Sequence, residues 1–184
     1  MAEFRFQEPW VGSWSRDDFE VAHHEAGHAA IAWFHGLALL ECRIDRPDSG
    51  LWGNVSVTPD LDKLEGHFQS IIAGQIASPL FLGGLFTWPL SPDAPGDEAA
   101  AAAVARRLDM TRAQFESHSA ITRDLLVLFA EKRSRLVQAL LDRGAIPGDE
   151  VHSILSGSKV PAADPERSRP VTSRQVGSTP VGVA

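Results

Sequence analysis

The sequence predicts a mainly α-helical domain carrying a small β-hairpin or sheet. Three observations point there. Apolar residues recur at spacings of three and four through most of residues 16–155, the alternating pattern is confined to a short stretch around residues 43–57, and the composition is 43% apolar and 22% charged, ordinary for a chain that buries a core. A chain of 184 residues suits one domain of usual size.

Taken in order, residues 1–15 form an aromatic N-terminal arm with Phe4, Phe6, Trp10 and Trp14. Ser15, followed three residues later by Asp18, reads as a capping box, and Gly36 supplies a stop, which predicts a helix over 16–35. Its apolar set is Phe19, Ala22, Ala26, Ala29, Ala30, Trp33 and Phe34. Arg43 to Arg46 and Trp52 to Val57 flank a Pro-Asp-Ser-Gly turn signal and predict a hairpin. Leu61, Leu64, Phe68, Ile71, Ile72 and Ile76 form the next helical stripe, which ends near Pro79. After a loop rich in Gly and Pro, Asp97 stands where an N-cap is expected, ahead of an alanine-rich helix. One long amphipathic helix over 116–143 and a short one from Pro147 to Leu155 complete the domain. Residues 156–184, with four prolines and no apolar period, read as a disordered tail.

Charge and cysteine content exclude several function classes. The chain carries −7, and because its tail holds four basic and two acidic residues, residues 1–155 carry −9. That balance argues against a nucleic-acid partner. Cys42, the one cysteine, cannot form an internal disulfide and points to a reducing, cytoplasmic setting. The start lacks the pattern of a signal peptide, and no stretch approaches 18 apolar residues, so no membrane segment is expected. No GxxxxGK[ST] phosphate loop occurs.

The chemistry concentrates in His24-Glu25-Ala26-Gly27-His28, an HExxH pattern inside the first predicted helix. At about 100° per residue, His24 and His28 leave one helix face a turn apart, so both imidazoles can reach one zinc ion. Glu25 beside them is placed as the general base, taking a proton from water and returning it to the leaving amine. Read as ordinary solvated residues, the three would sit oddly amid Ala22, Ala26, Ala29 and Ile31, where unpaired polar groups are costly to bury. A catalytic zinc needs a third protein ligand and an open position. The HExxHxxGxxH variant is absent, since Phe34 holds its last position, so the third ligand comes from downstream: Glu65, His67, Asp93, Asp97, Glu98 or His118 by residue type. At a helix N-terminus the dipole keeps Asp97 ionised, as a hard ligand requires, although an N-cap Asp is commonly just a cap.

Four segments in order resemble the peptidase domain of the FtsH family of zinc metalloproteases. They are AHHEAGHAAIAW at 22–33, the β segment with Gly53, IIAGQIASPLFLG (similar to the family's Gly-Gly-Arg-x-Ala-Glu-Glu helix), and GDEAAAAAVAR at 96–106. The closing helices from LLVLFAEKRSRL onward are similar too, so the likeness spans residues 18–155. The resemblance implies a zincin-like fold with Asp97 as third ligand. It also implies a substrate paired as an added strand beside Trp52 to Val57. Glu98 stands as a possible outer partner of the metal site. Departures are Gln75 for the family's basic residue and Ser78 and Pro79 for its paired glutamates. The ATPase ring and membrane anchor of that family have no counterpart here, which implies substrates already unfolded, a separate ATPase, or self-association.

Two functions follow as expectations. One is a zinc metalloendopeptidase acting on unfolded or flexible polypeptides, with His24, His28 and Asp97 on zinc and Glu25 as base. The other is a non-catalytic zinc-stabilised module that binds peptides or a partner.

Overall fold

The computed structural model describes residues 15–45, 52–78, 88–92 and 96–158. The expected aromatic arm, apart from Ser15, and the expected tail beyond Ser158 lie outside the described residues, as do Asp93, Pro79 and the Pro-Asp-Ser-Gly turn.

Helix α1 spans Arg16–Phe34, and its N-terminus is the expected capping box, with the Asp18 N–H donating to the Ser15 hydroxyl and the Asp18 carboxylate accepting the Ser15 N–H. Strands β1 (Leu39–Asp45) and β2 (Trp52–Val57) pair antiparallel as the hairpin predicted, but β1 begins four residues earlier than expected. A 3₁₀ turn at Leu61–Lys63 leads into α2, Leu64–Ala77. Leu61, expected on the apolar stripe, is instead exposed in that turn. Helix α3 spans Asp97–Arg107, with Gly96 at φ +65° as its N-cap, so Asp97 is the first helical residue and not the cap.

The single long helix expected over 116–143 is two helices, α4 (Arg112–Leu128) and α5 (Ala130–Arg143), broken at Phe129. The break has a packing cause. Leu126 and Phe115 of α4 belong to one apolar cluster, whereas Leu136, Val137, Leu140 and Leu141 of α5 belong to another, and a straight helix cannot face both. At the bend the Phe129 ring meets Trp33 and Phe34 of α1 at centroid distances of 5.6 and 5.5 Å. A third strand not foreseen in the sequence, β3 (Ala145–Pro147), pairs antiparallel with β1, giving the order β2-β1-β3. Helix α6 (Gly148–Ser156) closes the domain. The protein is therefore mainly helical with a small three-stranded antiparallel sheet.

Two apolar clusters result. The first joins Ala22, Ala26, Ala29 and Ala30 of α1 to the sheet, α5 and α6, and the second joins α2, α3 and α4 around Phe68, Ile72 and Leu126. Helices α1 and α2 lie between them in close approach at Gly27, where a Cβ would come within 2.5 Å of the Ala77 Cβ and 2.8 Å of the Ala73 carbonyl oxygen. No helix among the described residues is long and apolar enough to cross a membrane.

Candidate metal centre

The His24–His28 row of α1 faces α2, and the first turn of α3 brings Asp97 to the same point across 73 residues of sequence. Asp97 Oδ2 lies 2.8 Å from His24 Nε2 and 3.1 Å from His28 Nε2, and the two Nε2 atoms are 2.9 Å apart. Among the described residues, these three form the one group of His, Cys, Asp and Glu whose ligand atoms converge closely enough to hold a metal ion.

The chemistry of the donor set fits a cation. His28 is buried, and its Nδ1–H donates to the Ser70 carbonyl oxygen at 2.7 Å, so its Nε2 presents a lone pair to the Asp97 carboxylate. A lone pair and an anionic oxygen at that range repel unless a positive charge stands between them. Ligand atoms about 2.0–2.1 Å from a tetrahedral ion lie about 3.3 Å from one another, so the trio needs to part by only a few tenths of an ångström. The wall behind is cut to suit: a Cβ on Gly74 would sit 2.2 Å from His28 Nε2 and 2.8 Å from His24 Nε2. Nothing larger than glycine leaves room for both rings.

Without a metal, a proton serves the same need. Burial lowers the His28 pKa, but the hydrogen bond and charge of Asp97, the charge of Glu25 and the Ser70 carbonyl outweigh it and raise the value above the usual imidazole range. Burial likewise raises the Asp97 pKa, and its contacts with both imidazoles overcome that and hold the carboxyl well below the ordinary aspartate value. Glu25 is buried beside the cluster, and desolvation, opposed by the two histidines and aided by Asp97, pushes its pKa up. The Glu25 side chain lies against Gly53 of β2, where a Cβ would come within 2.4 Å of its Cγ and Oε1. These groups open into a cleft of about 290 Å³ between β2 and α2, lined further on by Val55, Val57, His67 and Ile71.

No family model matches the chain, and no curated protein matches it. The geometry therefore stands by itself.

The other residues considered as third ligand go elsewhere. Glu98 Oε1 accepts the Ser91 N–H at 2.8 Å and ties residues 88–92 to α3. His67 lines the same cleft, but its Nε2 accepts the Asp60 N–H at 2.9 Å, and His118 Nδ1 pairs with Gln69 at 3.0 Å. Glu65 is exposed on α2. Sequence reasoning missed the spatial roles of Gly53, Gly74 and Ser70. The only signal for Gly74 is a glycine amid Ile71, Ile72, Ala73 and Ile76, in a helix where glycine costs about 1 kcal/mol relative to alanine.

Proposed function

We propose that the protein is a zinc-dependent metalloendopeptidase with an FtsH-type HExxH peptidase fold, cutting unfolded or flexible polypeptides. The observation that supports this best is the convergence of two imidazole nitrogens and one carboxylate oxygen beside a buried glutamate whose pKa is raised. His24, His28 and Asp97 would hold the ion, and three protein ligands leave a position open, as catalytic zinc sites require. Zinc bound there would supply Lewis acidity, polarising a peptide carbonyl and lowering the pKa of water to about 7.

The chain's own contribution is proton handling and substrate placement. Glu25, with its affinity for a proton increased by burial, takes one from the attacking water and delivers it to the departing amine nitrogen. Strand β2 lines the cleft and pairs with β1 along one edge, while its other edge has no strand partner among the described residues. An extended peptide can add there by main-chain hydrogen bonds, which selects unfolded substrates over folded ones. A cytoplasmic setting suits the buried lone thiol of Cys42. Delivery of substrate would fall to a separate ATPase, to self-association, or to polypeptides already unfolded.

The test compares zinc-loaded wild type with Glu25→Gln on a library of unstructured peptides. Wild type should cut, and the variant should retain zinc while losing at least about a hundredfold in rate. Equal cleavage by both would remove Glu25 from the mechanism. A folded, zinc-loaded wild type that binds the peptides and leaves them uncut would favour the non-catalytic module instead.

A further inference from the structure

The cleft beside the metal centre has two walls, β2 and α2, and both continue past the converging groups as apolar surface. Gly53 marks the inner face of β2, since a Cβ there would meet the Glu25 side chain. Residues at intervals of two share a face of a strand, so Val55 and Val57 look the same way, and both line the cleft. Gly74 marks the inner face of α2, since a Cβ there would meet both imidazoles, and Ile71 and His67 stand three and seven residues before it on that face. Ile71 is thus about 4.5 Å along the helix from Gly74, and Val55 about 7 Å along the strand from Gly53. Val55 and Ile71 are half-buried and belong to different apolar clusters, Val55 packing on the first and Ile71 on the second. Each is covered on the side of its own cluster and open on the side of the cleft.

Apart from Glu25 and the three converging groups, no side chain lining the cleft carries a charge. His67 is the one that could. Its Nε2 accepts the Asp60 N–H, and burial, opposed by the Asp60 charge, lowers its pKa, so the ring is neutral at pH 7. A strand added to the free edge of β2 turns every second side chain to the inner face. The residue paired with Gly53 then lies beside Glu25, and the next inward residue, two along, falls between Val55 and Ile71. We propose that Val55 and Ile71 determine specificity, forming a slot that takes an uncharged aliphatic side chain at one fixed place in the substrate, two residues from the one paired with Gly53. A charged side chain there would lose its water and find no partner, and alanine would leave both walls bare. The substrate class narrows to unfolded polypeptides with Leu, Ile, Val or Met at one place within three residues of the cut bond. This deepens the proposed peptidase reading and rests on it.

The test uses the zinc-loaded full chain and unstructured peptides varied at one position at a time, with cleavage and binding both measured. Wild type should cut peptides with Leu at that place about tenfold faster than those with Ala, and about a hundredfold faster than those with Asp. Val55→Thr, close to valine in shape, should reduce the Leu-to-Ala ratio to about threefold or less, and Ile71→Lys should prefer Glu to Leu there. Preferences at the other positions should stay as in wild type, whereas a purely structural role for either residue would lower all rates alike. A wild type that cuts with no aliphatic preference near the bond, or a preference unchanged in both variants, would overturn the slot and leave the peptidase reading standing. A wild type that cuts nothing yet binds Leu peptides over Asp peptides, with that preference lost in the variants, would refute the peptidase reading and keep the slot. A wild type that neither cuts nor binds any of the peptides would overturn both.

Discussion

The two apolar clusters flanking the metal centre are built differently, and the difference shows which helix governs the site. The first is closed by branched and long aliphatic side chains, Leu136, Leu140, Ile146 and Val151, packed on the alanine face of α1. The second seats the small residues Ala101, Ala102 and Ala105 of α3 on Ile72, Ala73 and Ile76 of α2. His24, Glu25 and His28 are therefore anchored through the first cluster, whereas the backbone of α3, whose Asp97 reaches across to the two histidines, runs close to α2 alone among the described helices and strands. Helix α2 bears none of the three converging groups, yet both sides of the site are referred to it. A helix that donates no ligand can set the geometry when all the ligands lean on it.

The sharpest way to break that arrangement is Gly74→Ala. The added methyl group meets both imidazoles, while helix propensity rises by about 1 kcal/mol. Chelator competition should show more than a hundredfold loss of zinc affinity, with the helical circular dichroism of the metal-free protein preserved. Normal zinc binding by this variant would mean that α2 does not constrain the histidines.

A smaller effect is expected from Asp97→Asn, which touches only the α3 side. Loss of the anionic ligand should weaken zinc by at least about tenfold. Histidine spectra should keep the Nδ1 bond of His28 to Ser70, because that bond belongs to the α1–α2 contact. Wild-type affinity in Asp97→Asn would move the third ligand elsewhere.

The smallest effect isolates the first cluster. Burial, aided by the Arg133 charge, lowers the pKa of His23 to about 4. Below about pH 6.5 the unfolded chain takes up a proton that the folded chain refuses, so stability falls as pH drops from 6.5 to about 4 and is unaffected by this group above 6.5. Between pH 7.5 and pH 5 the loss should be on the order of 1 kcal/mol, allowing for partial exposure. Urea denaturation in chelator at pH 7.5 and pH 5 should show it, and His23→Gln should flatten the difference. An equal pH dependence in the variant would assign the acid sensitivity to other groups.

How far the sequence was legible depended on the range of the interaction. The Ser15–Asp18 capping box and the His24–His28 row involve residues within one helical turn, so local periodicity sufficed to read them. The break at Phe129 was hidden because Leu125, Leu126 and Leu128 continue the helical period of α5, while Leu128 in fact faces solvent. Strand β3 was hidden because three residues are too short for a period. By residue type Asp97 stood level with Glu65, His67, Asp93, Glu98 and His118, and only the resemblance singled it out. What the sequence alone determined is the pair of imidazoles with Glu25 between them, because a helix places i and i+4 on one face whatever surrounds it. What the tertiary structure decided is the meeting of that pair with a carboxylate 73 residues away, and which nitrogen each imidazole presents. Both depend on how closely α1 can approach α2, which Gly27 and Gly74 allow by having no side chain in the way.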